Sequence, residues 1–215
     1  MRLTNLLAVA AAVAGVGTAN ASVINFDFNS LSPPSGPIAG TPLTLTSGGV
    51  TAAFSSPQDP LLDPAFVVIP STGFLTFPEN VLAGVNPFGT LELDITFSQS
   101  LTSFTADFAT DGFGPLDVTA LQGGLGGTSV GSNAATGTVS GDPNFPFPEG
   151  TITFTGASFD TLILTDPIDP GFALGSFSVT TAPVTTTVPE PASLALLGLG
   201  LAGAAAAMAR RARKA

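Results

Sequence analysis

The chain contains no cysteine, no histidine, no tryptophan and no tyrosine. Its only basic residues are Arg2, Arg210, Arg211, Arg213 and Lys214, so none lies between Leu3 and Ala209. Each absence closes off a chemistry. Without cysteine or histidine there is no Ser-His-Asp or Cys-His set and no zinc or haem site of the usual type. Without an internal lysine there is no Schiff base and no cationic clamp for a phosphoryl group. Disulfide staples are excluded too, even in an oxidising compartment.

All fifteen acidic residues lie between Asp27 and Glu190. The stretch from Ser22 to Glu190 therefore carries acid and no base. Such a surface repels phosphate backbones and anionic lipids, which excludes nucleic acid as a partner. It makes no internal salt bridge, so its stability rests on apolar burial and hydrogen bonds. Its length, roughly 170 residues, is enough for one core. The seventeen Phe, the only aromatics, fit a Phe-centred core better than an aromatic ligand platform.

Both ends read as addresses. Residues 1–21 have the order of a secretory signal: Arg2, an apolar run from Leu6 to Val16, and the small-x-small site Ala19-Asn20-Ala21. Cleavage by signal peptidase before Ser22, after passage through the secretion translocon, is expected. At the other end, residues 188–215 read VPEPASLALLGLGLAGAAAAMARRARKA. The apolar run 194–209 makes a helix of about 24 Å, somewhat short of the roughly 30 Å hydrocarbon core; counting from Pro191 brings it close to spanning. Arg210, Arg211, Arg213 and Lys214 should stay cytoplasmic, making the segment a transmembrane stop-transfer anchor.

The box Val188-Pro189-Glu190-Pro191, the Leu/Gly/Ala helix and the basic end resemble the PEP-CTERM sorting signal of Gram-negative bacteria that make extracellular polysaccharide. The resemblance covers only this tail. It implies recognition of the box by an exosortase, a membrane-embedded cysteine peptidase. An inner-membrane intermediate would then be released to the cell surface or extracellular matrix. Tails of this kind also carry the label of an ice-binding protein C-terminal domain, which describes the tail and says nothing about ice. Residues 182–187 (APVTTT) form a Pro/Thr linker that holds the box clear of the folded domain.

Between the addresses, residues 22–181 read as strands and turns. Val23 to Phe28 alternates, with Ile24, Phe26 and Phe28 on the dry face. Val50 to Phe54 is a short strand. Phe66 to Ile69 and Phe74 to Phe77 suggest a hairpin about Pro70–Gly73. Leu91, Leu93, Ile95 and Phe97 alternate, Ser98-Gln99-Ser100 suggests a turn, and Phe104, Ala106 and Phe108 alternate again. Leu116 to Leu121 continues the pattern. Two weak strands are expected around Val130 and Val139. Thr151 to Thr155, Ser158 to Thr165 and Phe172 to Thr180 complete the set. The expectation is an all-β fold, a single β-sandwich of jelly-roll type, with an immunoglobulin-like sandwich as the alternative.

Two carboxylate chemistries survive the exclusions. Paired-carboxylate glycoside hydrolysis would draw on acids such as Asp94 and Asp107, but lacks the usual aromatic sugar platforms. No cofactor is required, although an oxygen-only calcium site could form from Asp166 and Asp169 with Asp27. Phe145 and Phe147, in a proline-flanked loop, are candidate sugar-stacking residues. Ice binding needs ranked Thr-bearing strands, of which Thr151, Thr153 and Thr155 supply one. The reading is therefore an exported, non-enzymatic protein with a structural or adhesive role in exopolysaccharide or biofilm. The alternative is a carbohydrate-binding module with a defined glycan, and behind it a polysaccharide hydrolase.

Overall fold

The computed structural model describes residues 17–18, 21–36, 41–58, 65–70, 75–86, 89–139, 146–168, 171–183, 185–186, 198, 200–203 and 212. The chain divides into two compact units, Ala21–Ala182 and a second made of Met1–Asn20 with Pro183–Ala215. In chain order the strands are β1 (Gly17–Thr18), β2 (Val23–Phe26), β3 (Leu43–Ser47), β4 (Val50–Ser55), β5 (Phe66–Pro70) and β6 (Asn80–Val85). They continue with β7 (Leu91–Thr110), β8 (Pro115–Gln122), β9 (Thr128–Thr136), β10 (Glu149–Asp166), β11 (Gly171–Thr181) and β12 (Thr185–Thr186).

In the smaller unit β1 pairs antiparallel with β12, and residues 198, 200–203 and 212 are helical. Among the described residues no helix is long and apolar enough to cross a membrane. Most of the run 194–209 lies outside the described residues. So do the rest of the signal segment before Ala21, the box 188–191 and the basic residues Arg210, Arg211, Arg213 and Lys214.

Two long strands organise the larger unit. The first half of β7 lies between β4 and the last part of β10, and its second half lies between β11 and the first part of β10. One layer is therefore β3-β4-β7-β10-β8-β9, and the other gathers β5-β6 and β2 on β11, beside β7 and β10. Every pairing is antiparallel.

The turn expected at Ser98-Gln99-Ser100 is absent; β7 is one strand. Its backbone continues because neighbours meet the polar triplet. Ser98 Oγ accepts the Thr51 N–H at 2.9 Å, the Gln99 amide donates to the Gly49 carbonyl at 3.0 Å, and the Ser100 carbonyl accepts the Ala182 N–H at 2.9 Å. The inward apolar set is odd-numbered up to Phe97 and even-numbered from Phe104. The triplet thus marks where β7 passes from one layer to the other. Thr151–Thr155 and Ser158–Thr165 likewise belong to the single strand β10, with register shifts either side of Phe159.

Other boundaries also move. β2 stops at Phe26 because the Asp27 carboxylate accepts the Asn29 N–H at 2.9 Å and opens a 3-10 turn over Phe28–Ser30, although Phe28 stays buried. β5 pairs with β6, not with Leu75–Phe77, and Leu75 is buried without joining a strand; residues 71–74, where the hairpin turn was expected, lie outside the described residues. β9 is one strand, and Val139 lies beyond it. β3 pairs with β4 through Gly48 and Gly49, both at positive φ (53° and 79°), as a two-residue hairpin requires.

The core lies between the layers. Phe54 of β4 and Phe177 of β11 share no ladder, yet their rings are 6.0 Å apart. Phe177 also stacks on Phe26 at 4.7 Å and meets Phe104 at 5.8 Å, Phe28 at 6.3 Å and Phe97 at 6.5 Å. Each buried Phe contributes about 1.5–3 kcal/mol of transfer free energy. The Phe-centred sandwich therefore holds without charge pairs.

Candidate functional site

The outer face of β2, β11, β7 and β10 is where alternation turns the polar residues outward. Register sets them in rows across the strands. The central row is Thr153, Thr105, Ser178 and Asn25. Beside it runs Thr155, Ser103, Thr180 and Val23; on the other side Thr151 faces Asp107. All of these side chains are exposed or half-buried. The Ser103 hydroxyl donates to Thr180 Oγ1 at 2.7 Å, and the Thr151 hydroxyl donates to Asp107 Oδ1 at 3.0 Å. Asn133 of β9 donates to the Thr153 carbonyl at 2.7 Å.

At one end this face sinks into a groove of about 410 Å³ whose polar lining is Asn25, Asp27, Asn29, Glu79, Thr105, Asp107, Ser176 and Ser178, with Phe26, Ala106 and Phe177 completing it. A bulge makes the room. The β11–β7 register shifts between Leu174 and Phe177, and Gly175 sits under the lining. A Cβ at Gly175 would lie 3.2 Å from the Phe77 ring and 3.3 Å from Glu79 Oε1. The three carboxylates are held, each through one oxygen. Glu79 Oε1 accepts the Ser176 N–H at 3.1 Å, Asp107 Oδ1 accepts the Thr151 hydroxyl, and Asp27 Oδ1 accepts the Asn29 N–H. Asn29 Oδ1 accepts the Asn80 N–H at 3.0 Å. The groove thus offers fixed carboxylate and amide groups with Ser and Thr hydroxyls, a set suited to polyhydroxylated ligands.

The candidate residues fall in different places. Asp27 and Asp107 line the groove. Asp94 is buried in the first half of β7, opposite Ser55 and Ile163, so it forms no pair with Asp107 across a scissile bond. Asp166 is fully buried at the end of β10, beside Leu91, and its Oδ1 accepts the Ile168 N–H at 3.1 Å, a local turn bond. Asp169 and Phe145 lie outside the described residues. Among the described residues no cluster of three His, Cys, Asp or Glu is placed to hold a metal ion.

Phe147 is half-buried. It packs with Leu75, Val81, Ala109 and Ala173 and lines an apolar cavity of about 190 Å³. Among the described residues the aromatic that faces solvent is Phe113, 79% exposed between β7 and β8, which the alternation pattern does not mark. The flanking glycines Gly112 and Gly114 were the available signal.

One further carboxylate, on β10, holds the β8–β9 loop. Asp160 accepts N–H bonds from Gly124 at 2.8 Å and Gly123 at 3.0 Å, and from the Gln122 amide and Thr161 hydroxyl. Burial, the largest single influence, pushes its pKa up; the bonds from Gly124, Gly123 and Thr161 together outweigh it and hold the carboxyl below its ordinary value.

The PEP-CTERM protein-sorting motif matches residues 187–214, the tail that carried the resemblance. No curated protein matches the chain. Solved structures similar to it include a family 29 carbohydrate-binding module, 9% identical over 82% of this chain and 99% of that one, with a TM-score of 0.39. Another is CsCBM6-3 from Clostridium stercorarium in complex with cellobiose, 14% identical over 55% and 84%, with a TM-score of 0.35. A third is the low affinity xylan binding module CBM86 from Roseburia intestinalis, 14% identical over 61% and 96%, with a TM-score of 0.31.

Proposed function

We propose that this is an exported, non-enzymatic protein of the cell surface or extracellular matrix, delivered through its tail and retained by contacts with extracellular polysaccharide. The observation that carries the reading is the sorting motif over residues 187–214. Residues 1–21 are removed before Ser22, residues 22–181 are the working domain, and the linker 182–187 presents the box to an exosortase-type peptidase. The helix 194–209 and the cations after it hold an inner-membrane intermediate until the chain is cut near Pro189-Glu190-Pro191. We read the sandwich as a jelly roll, a reading supported by its all-antiparallel, largely non-sequential strand pairing.

The second reading is a carbohydrate-binding module with a defined glycan, and the groove of carboxylate, amide and hydroxyl groups favours it. A glycan array separates the two: one dominant ligand selects the module, and diffuse retention selects matrix structure.

The test of the route is the intact mass of the native protein from washed cells and from matrix. A chain beginning at Ser22 and ending near the box is expected. A mass that keeps Arg210 to Lys214 in the matrix fraction would overturn sorted release. Trypsin digestion is no substitute, because no Lys or Arg lies between Ser22 and Glu190.

A further inference from the structure

The outer face of the β2-β11-β7-β10 layer is more than the polar side of a sheet. Polar faces of antiparallel strands commonly mix Thr with Lys, Glu and Arg. Here the central row, Thr153-Thr105-Ser178-Asn25, is uncharged and runs unbroken over four strands. The row beside it adds Thr155, Ser103 and Thr180. With strands about 4.8 Å apart and outward residues about 6.7 Å apart along each, the hydroxyls form a lattice on a patch roughly 14 Å wide. Its aromatic rings lie beneath it: Phe26 and Phe177 are buried under the same strands.

We infer that this face is the docking surface for an uncharged polysaccharide chain, laid across the strands along the central row, whose Thr105, Ser178 and Asn25 also line the groove that holds Glu79 and Asp107. The inference deepens the glycan-contact reading above and rests on it. Three features select that occupant. Ser, Thr and Asn side chains each donate and accept, as sugar hydroxyls do, so a sugar chain can exchange hydrogen bonds at every strand it crosses. The carboxylates of the groove accept from hydroxyls and repel uronates or sulfates, and no basic side chain stands anywhere between Ser22 and Glu190 to offset that repulsion. The side chains that flank the row are already tied into place, through Ser103–Thr180, Thr151–Asp107 and Glu79–Ser176 contacts, so those flanks lose little freedom when a ligand binds.

Affinity electrophoresis tests this with the full chain, solubilised in a polyoxyethylene detergent that carries no sugar headgroup. The probes are xylan, a mixed-linkage β-glucan and a galactomannan as uncharged chains, and alginate as the polyuronate. At least one uncharged polymer should retard the protein and alginate should not. The triple variant T105V/T153V/S178A removes three hydroxyls while keeping shape and strand preference. It should need at least tenfold more polymer for the same retardation. Gly175→Ala, whose Cβ would press on the groove carboxylates Glu79 and Asp107, should weaken it several-fold. Phe113→Ser, in the β7–β8 loop and outside the groove lining, should leave it unchanged. Retardation by alginate alone, by none of the polymers, or equally of the wild type and the triple variant would overturn the inference. The route reading stands or falls separately, on the intact mass.

Discussion

Alternate residues of the same four strands build two surfaces of opposite character. Facing inward are Phe26, Phe177, Phe104 and Phe154; facing outward, one position along each strand, are Asn25, Ser178, Thr105 and Thr153. Because side chains alternate with a period of two, one position decides between stability and recognition. An acidic domain without internal salt bridges thus keeps its stability on one face. The other face is left free of that duty. Adjacent residues should therefore respond in opposite ways to the same substitution.

The largest effect is expected at Phe177, whose ring meets five others from both layers. Phe177→Ala should cost about 3–5 kcal/mol and lower the melting midpoint by on the order of 10 °C. A thermal melt followed by far-UV circular dichroism reads this. A shift of only about 2 °C, the size expected for a loss below 1 kcal/mol, would mean that the Phe cluster is not what joins the layers.

Next comes Gly84, on the inner side of β6. A Cβ there would lie 2.6 Å from the Phe66 ring and 2.7 Å from the Ala65 carbonyl oxygen. Backbone cannot yield as a flexible side chain can, so Gly84→Ala should destabilise by about 1–3 kcal/mol. The same melt checks it, and an unchanged midpoint would show that β5 and β6 part without loss.

How much of this was legible beforehand follows from what each signal depends on. Alternation is local, so the inward residues of β2, β4, β7 and β10 could be read before any pairing was known. Continuity is not local. Ser98-Gln99-Ser100 has turn composition, and only the partners Thr51, Gly49 and Ala182 explain why the chain runs straight through. The β3–β4 hairpin was readable: Leu43 and Leu45 carry the alternation and Gly48-Gly49 the turn. The hydroxyl rows were not readable, because Thr153, Thr105 and Ser178 meet through register between strands distant in sequence. Ranked Thr-bearing strands, sought along the sequence, exist only across it.

A smaller effect, with a pH signature, is expected where the β8–β9 loop is tied to β10. Replacing Asp160 by Asn weakens the bonds to Gly123 and Gly124 and should cost about 1 kcal/mol at neutral pH, since the carboxylate is partly solvated. The folded-state pKa is lowered, so this contribution is fully present above the unfolded value near 3.9 and is lost as pH falls through the lower folded value. The gap between wild-type and variant midpoints should be constant above about pH 5 and close below the ordinary carboxylate range. A gap that stays open in acid would assign the effect to shape, not charge.

The smallest stability effect belongs to Ser178→Ala, one residue from the largest. The hydroxyl is half-buried at the outer face, and no core contact depends on it. Its loss should change stability by less than about 0.5 kcal/mol. Retardation by an uncharged polysaccharide should nonetheless weaken, since the side chain stands mid-row between Thr105 and Asn25. Measured together, Phe177→Ala and Ser178→Ala form a two-by-two comparison in which the same residue is introduced at successive positions of one strand. If the first moves only the melt and the second only the retardation, the two faces are energetically separate. If Ser178→Ala lowers the melt as well, the hydroxyl lattice is part of what holds the layer together, and ligand binding and stability are coupled through it.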